Sequence, residues 1–373
     1  MSVHNDTPTP DLSSKAVVQL QHLAEYLDQI EDRLQSFRAI ATRRDDGIDF
    51  AFPFGRASFE LSNGQVEIRA RAGERDDLAR IKDLLATAVQ VYGKQDSPQI
   101  RWTGDFCEET KLPQFREMTV MEITQLTPAM RRIRIAGADL GRFARFGGMH
   151  IRMLFPTSRV PQPVWPTLGK NGLAAWPPDD RRPTPRAYTI RRLNVEAGWM
   201  DVDFVLHSGD SVGSHWAETA LPGSTVGIMG PVGRPVPMDA EWYLMGADET
   251  GLPALSRMLE TLPASTSGVA FVEVADEGEV IHIDNRTSIE VHWLPRNGTA
   301  AGMDKRLVNS VMAVKWPVGL ACFGWFAAEA EGASIIRNYW RTELGLGRDQ
   351  TLAASYWDRM KAGSMATGGL AKA

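Results

Sequence analysis

Hydrophobic residues recur along the chain in three different rhythms. Leu20, Leu23, Leu27, Ile30, Leu34 and Phe37 follow one another at three- and four-residue spacing, which predicts a helix that buries one stripe. The segments "GIDFAFPFG" and "ASFELSNGQVEIRARAG" then alternate apolar and polar residues, with Asn63-Gly64 as the tight turn of a hairpin. A second amphipathic helix carries Leu78, Ile81, Leu84 and Leu85, with Tyr92 near its end. Helix, strands and helix close a small α+β domain over residues 1–105. It holds no catalytic constellation: His22 stands alone and the acidic residues fall on solvated helix faces.

From residue 112 to 237 the rhythm becomes that of short strands. "FREMTVMEITQLTPAMRRIRIAG" predicts two strands broken at Thr127-Pro128, and "MHIRMLFP" and "WMDVDFVLHSG" predict two more, the last placing Val202, Phe204 and Leu206 on one face ahead of His207. Gly and Pro turns between such strands point to a small antiparallel β-barrel. Residues 157–183 are too rich in proline for regular structure, and a loop of that length is expected to serve a site. Over residues 238–373, "EWYLMGAD", "SGVAFVEVAD", "SIEVHWLP" and "VGLACFGWFAAE" are near-continuous apolar strands alternating with helical segments, the first from Leu252 to Leu262. That alternation predicts an open, largely parallel α/β sheet, whose ligands bind beyond the carboxyl ends of the strands, at residues 246–251 and 326–332.

The bulk numbers narrow the classes. A chain of 373 residues is too long for one ordinary core, and 43% hydrophobic and 23% charged residues are those of a globular protein. A net charge of −5 gives no electrostatic reason to expect nucleic acid or an acidic membrane as partner. Cys107 and Cys322 are the only cysteines, so a disulfide framework and a cysteine metal site are both excluded. The polar start "MSVHNDTPTP" and the lack of any apolar run of spanning length lead to the expectation of a cytoplasmic protein.

One stretch carries candidate chemistry. In "RAYTIRR", Tyr188 and Thr189 are fenced by arginines. This is either an edge strand charged against unwanted pairing, or a guanidinium set for a phosphate with an aromatic and a hydroxyl beside it. Further on, strand residue Val205 and His207 lead into Gly209, Gly213 and Ser214, small residues expected to precede a helix whose first turn holds His215 and Trp216. Such a helix start can take a diphosphate, although Ser214 could equally be a plain N-cap. His207 and His215 lack a third ligand at metal-site spacing.

Arg186-Ala187-Tyr188-Thr189 resembles the Arg-x-Tyr-Ser/Thr flavin motif of the ferredoxin-reductase-like superfamily. Four further stretches make the likeness more specific: Arg186 to Arg191, His207 through Ser214-His215-Trp216-Ala217, the "GADETGLPA" turn at 246–254, and Ala327-Ala328-Glu329 with the closing Ser355-Tyr356-Trp357. Together they resemble the siderophore-interacting protein family, flavin-dependent ferric-siderophore reductases, over roughly residues 112–363. Gly251 and the stretch Ser211-Val212-Gly213-Ser214 depart from the family's usual residues, and the first hundred residues lie outside the resemblance.

The resemblance implies a three-part chain. An N-terminal α+β domain of unknown role (1–105) precedes an antiparallel β-barrel that binds FAD (112–237) and an NAD(P)-binding-like α/β domain (238–373). Arg186, Ala187, Tyr188, Thr189, Val205, His207, Gly209, Gly213, Ser214 and Trp216 would then line the flavin. Asp248, Thr250 and Trp357 would attend a nucleotide or ring, although Trp357 could merely pack the C-terminal segment. The implied activity is reduction of a ferric siderophore, with electrons from NAD(P)H or a ferredoxin and no protein metal site. Asp276 could take a ribose hydroxyl or simply end a strand, and Lys305, Arg306, Lys315 and Arg337 are candidates for a basic patch facing an anionic chelate. A non-catalytic siderophore or flavin binder, and a general NAD(P)H flavin reductase, are the alternatives.

Overall fold

The computed structural model describes residues 12–62, 65–146, 148–157, 162–207 and 211–360. It divides into two compact units, Met1–Phe115 with Arg159–Arg182, and Arg116–Ser158 with Pro183–Ala373.

The first unit begins with β1 (Leu12–Gln19), α1 (Leu23–Gln35), β2 (Ile40–Arg44), β3 (Gly47–Phe52), β4 (Gly55–Ser62), β5 (Gln65–Ala72), α2 (Arg75–Tyr92) and β6 (Thr103–Gly104). Its antiparallel sheet has the order β2-β3-β4-β5-β1-β6. Helix α1 buries Leu23, Ile30 and Leu34 of the predicted stripe together with Tyr26, while Leu27 is only partly buried and Leu20 and Phe37 lie just outside the helix. Helix α2 buries Leu78, Ile81, Leu84 and Leu85 on the same core. Strand β1 was not evident from the sequence. Its inward residues are Ser14, Ala16 and Val18, two of them small, so the alternation is faint until β5 and β6 flank it. Asn63-Gly64 lies outside the described residues.

The second unit opens with β7 (Phe115–Thr127), β8 (Met130–Ala136), α3 (Gly141–Arg145) and β9 (His150–Phe155). The chain then returns to the first unit. The proline-rich stretch, expected as an irregular loop, contains a short hairpin of β10 (Thr167–Leu168) and β11 (Ala174–Ala175). It is fastened to the N-terminal domain: Leu168 N donates to the Thr110 carbonyl at 2.8 Å, and the Trp102 indole N–H donates to the Asn171 carbonyl at 2.9 Å. A tryptophan and an edge of main chain therefore take up backbone groups that a free loop would leave to water.

Back in the second unit come β12 (Thr184–Thr189), β13 (Arg192–Asn194), β14 (Trp199–Val205), α4 (Val212–Thr219) and β15 (Thr225–Val232). With β7, β8 and β9 they form a seven-stranded, barrel-like sheet of order β12-β9-β15-β7-β8-β14-β13. Its interior holds Phe143, Phe155 and Phe204, each fully buried and each contributing roughly 2–3 kcal/mol by leaving water.

The last part is β16 (Trp242–Ala247), α5 (Leu252–Thr261), β17 (Ser267–Val274), β18 (Ser288–Pro295), α6 (Arg306–Ala313), β19 (Cys322–Glu329), α7 (Ala330–Asn338) and β20 (Thr351–Trp357). The five strands are all parallel, in the order β18-β17-β16-β19-β20. Between β16 and β19 the order reverses, the point at which such sheets open a crevice beyond the strand ends. Gly251 has a packing reason here: a Cβ on it would lie 2.4 Å from the Ala327 carbonyl of β19.

Candidate functional site

Strand β12 is an edge strand, paired antiparallel to β9 with Thr189 opposite His150. Its arginines are not alike. Arg191 is 3% exposed and forms a bidentate pair with Glu260, one arm at 2.7 Å, so it ties the barrel to α5. Arg132 and Arg134 on β8 pair likewise with Asp203 at 2.7 Å and Asp201 at 2.8 Å. Arg186 has no carboxylate partner among the described residues; its one hydrogen bond goes to the neighbouring Pro185 carbonyl at 2.9 Å. The hydroxyls of Tyr188 and Thr189 make no hydrogen bond there either, although Thr189 is buried. A charged strand made only to resist pairing would need none of these unspent donors. Ala187 is exposed beside them.

The Tyr188 ring rests on Phe204, with centroids 4.4 Å apart, and burial pushes its phenol above the usual range. Its hydroxyl reaches the first turn of α4, where a Cβ on Gly213 would sit 1.9 Å from it. Only glycine lets strand and helix start approach this closely. Helix α4 begins at Val212 with Ser211 as its N-cap, so Gly213 and Ser214 lie within the first turn rather than ahead of it. Ser214 is therefore not the cap. Its buried hydroxyl folds back to the main chain of His207, accepting from the amide at 3.0 Å and donating to the carbonyl at 3.3 Å. Val205 ends β14 just before, exposed His207 follows, and Trp216 packs on Phe155 and Phe204 at 5.3 and 5.6 Å. Gly209 lies outside the described residues.

The residues at the strand-order reversal turn inward. Asp248 is 3% exposed: one carboxylate oxygen accepts from the Thr250 amide at 2.9 Å and hydroxyl at 2.6 Å, the other from the Trp357 indole N–H at 2.6 Å. The three side chains expected to attend a nucleotide are thus bonded to one another, because a buried carboxylate must be satisfied from within. Trp357 fastens β20 to this turn. Arg296, nearly buried, bridges Glu249 at 2.6 Å and Glu273 at 3.1 Å. Burial raises Asp248 to about 6, with Glu249 adding to it, and burial raises Glu273 to about 7 against the pull of Arg296. A groove opens here, walled by Asp248, Glu273, Asp304 and Glu329 together with Lys305. Asp276 instead accepts from the Gly278 amide at 2.8 Å and caps a turn.

Two features escaped the sequence. His150 Nε2 and the Tyr356 hydroxyl lie 2.6 Å apart, joining β9 to β20 across from Thr189, and burial with the Arg257 cation brings the imidazole down to about 4. A lone His in a strand gave no signal until Tyr356 reached it. The second is a cluster of guanidiniums. Among the proposed basic residues, Lys305 is paired with Glu331 at 3.1 Å and Arg306 with Asp304 at 2.6 Å, while Lys315 is exposed. Arg337 instead lies near Arg234, Arg341 and Arg348; burial, reinforced by neighbouring guanidiniums, holds Arg234 and Arg341 below the usual arginine range, and none of the four has a carboxylate at ion-pair distance among the described residues. Arg234 and Arg337 spend hydrogen bonds only on the carbonyls of Thr351 at 2.8 Å and Ala353 at 2.7 Å.

Comparisons with known proteins agree with this arrangement. Residues 119–235 match a family model described as a siderophore-interacting FAD-binding domain, and residues 240–360 one described as siderophore-interacting protein. Residues 15–103 match a model described as an uncharacterized protein conserved in bacteria. The chain is 32% identical over 234 residues to the ferric vibriobactin reductase of Vibrio cholerae, 62% of this chain and 84% of that one. It is 30% identical over 257 residues to the NADPH-dependent ferric-chelate reductase of Escherichia coli, 65% of this chain and 92% of that one. Among solved structures it resembles a siderophore utilization protein from T. fusca, with TM-score 0.54, 30% identity, and coverage of 67% and 95%. The siderophore-interacting protein SipS of Aeromonas hydrophila gives TM-score 0.56, 26% identity, and coverage of 66% and 92%. No helix among the described residues is long and apolar enough to cross a membrane. Behind an additional N-terminal domain, this chain belongs to the siderophore-interacting protein family of FAD-binding oxidoreductases.

Proposed function

We propose that the protein reduces ferric siderophores in the cytoplasm with FAD as its redox group and NAD(P)H or a ferredoxin as electron donor. The observation that carries this reading is the row of unspent donors on β12: Arg186 without a carboxylate, and the free hydroxyls of Tyr188 and Thr189. These residues fit FAD. The Arg186 fork suits a diphosphate, the first turn of α4 at Gly213 and Ser214 offers main-chain N–H groups, and Tyr188 and Thr189 offer a ring face and a donor. Ala187, Val205, His207, Gly209 and Trp216 complete the proposed surround. When bound, FAD supplies uptake of an electron pair and release of single electrons, which Fe(III) requires. The lower charge of Fe(II) weakens its hold by hard oxygen chelators, so the metal leaves.

The chain's own part is to bind and orient. The Arg234, Arg337, Arg341 and Arg348 cluster supplies positive charge with no carboxylate at ion-pair distance among the described residues, which suits an anionic chelate. The groove at the strand-order reversal is lined by carboxylates, so a dinucleotide donor would have to keep its phosphates off the Asp248 turn. Anaerobic stopped-flow decides the reading. Photoreduced, FAD-loaded protein mixed with hydroxamate, catecholate and carboxylate ferric siderophores, with ferrozine present, is expected to reoxidise and yield Fe(II). Reoxidation no faster than in buffer for every chelate would overturn it in favour of a siderophore carrier, and a response to oxygen alone would mark a general flavin reductase.

A further inference from the structure

The N-terminal domain holds a pairing that the proposed flavin chemistry does not use. Lys82, on α2, is only 6% exposed, and a buried ammonium ordinarily rests against a carboxylate. Among the described residues its sole hydrogen-bonding partner is the Cys107 sulfur, 3.4 Å away, with the face of Trp102 at 5.6 Å. The same sulfur lies 3.6 Å from the Ser14 hydroxyl and 3.5 Å from the Asp105 carbonyl. Ser14 also donates to that carbonyl at 2.9 Å. An open pocket adjoins Lys82, lined by Arg75, Leu78, Ala79, Phe106, Glu109 and Leu168. Among the described residues no carboxylate pairs with this ammonium; the Cys107 sulfur is what faces it.

We propose that Cys107 is a modification site, its sulfur held against the buried Lys82 ammonium and open to oxidation by peroxides and alkylation by small electrophiles. With hydrogen peroxide the sulfur attacks one oxygen, an S–O bond forms and the O–O bond breaks. Hydroxide leaves and is protonated to water. Sulfur loses two electrons, peroxide gains them, and Lys82 then faces the sulfenate. The chain carries its own reference thiol. Cys322 is also half-buried, but burial and the nearby Glu241 push its thiol up.

The test is made on the full-length protein with iodoacetamide at pH 7, following both cysteines by peptide mass mapping. Cys107 should react at least tenfold faster than Cys322, and Lys82→Met should remove about tenfold of that rate, the effect expected when a neighbouring cation is lost. Lys82→Arg, which keeps the charge, should retain most of it. After peroxide, a dimedone adduct should map to Cys107 alone. Equal rates at the two cysteines in the wild-type protein would overturn the proposal, whatever the variants do. So would a folded Lys82→Met protein whose Cys107 reacts as before.

Discussion

Two places in the second unit look alike by fold position and differ in chemistry. The edge strand β12 with the start of α4, and the turn after β16 at the strand-order reversal, each set polar side chains beside a helix N-terminus. At the first, Arg186, Tyr188 and Thr189 keep donors unspent. At the second, Asp248 absorbs Thr250 and Trp357, and Arg296 is shared by Glu249 and Glu273. One keeps hydrogen-bond donors that no side chain of the described residues takes up, and the other satisfies its charges from within. Topology says where a ligand can bind; the hydrogen-bond ledger says whether the residues are free to bind it.

If that contrast is right, the two places fail in opposite ways. The largest effect is expected from Asp248→Ala, which strands the Trp357 indole N–H and the Thr250 donors. It should cost about 3 kcal/mol of stability, read as a lower denaturant midpoint, with flavin affinity in the protein that remains folded nearly unchanged. Arg186→Ala should do the reverse. Losing a charge-assisted fork of about 2 kcal/mol should weaken FAD binding roughly 30-fold in a fluorescence titration, with the thermal midpoint of the flavin-free protein unmoved. A flavin-free protein that unfolds on losing Arg186 would mean that this arginine is structural, and the contrast would collapse.

Gly213→Ala probes the contact between the two halves of the first site. The added methyl meets the Tyr188 hydroxyl, so FAD affinity should fall by about 1–3 kcal/mol through overpacking. Adding Tyr188→Phe should recover part of it; absence of any recovery would show that the helix start, not the tyrosine, sets the fit.

The smallest effect belongs to Glu273. Its folded pKa of about 7 lies above its unfolded value, so the folded state holds the proton more tightly, and stability falls as pH rises from about 4.5 through 7. Glu273→Gln should therefore stabilise the protein by about 1 kcal/mol at pH 8 and by nothing measurable at pH 4.5. A gain that does not change with pH would contradict the assignment.

Much of this was legible from the sequence, and the parts that were not share a cause. The helix stripe from Leu23 to Leu34, the strand break at Thr127-Pro128 and the parallel strands of the last domain are local periodicities, set by which face each residue must bury. The family was legible too, because "RAYTIRR" and "GADETGLPA" are contiguous and need no partner to be recognised. What tertiary structure alone decided is which polar groups were already taken. Arg186 and Arg191 look equivalent in the sequence, yet Glu260 claims one and nothing claims the other. Asp248 reads as a ligand contact until Trp357 arrives from 109 residues away. The proline-rich stretch reads as a loop beside the strand it precedes, β12, yet Trp102 and Thr110 hold it in the N-terminal unit. Burial depends on apolar pattern, which is local; pairing depends on what the fold brings within 3 Å, and that the order of residues does not contain.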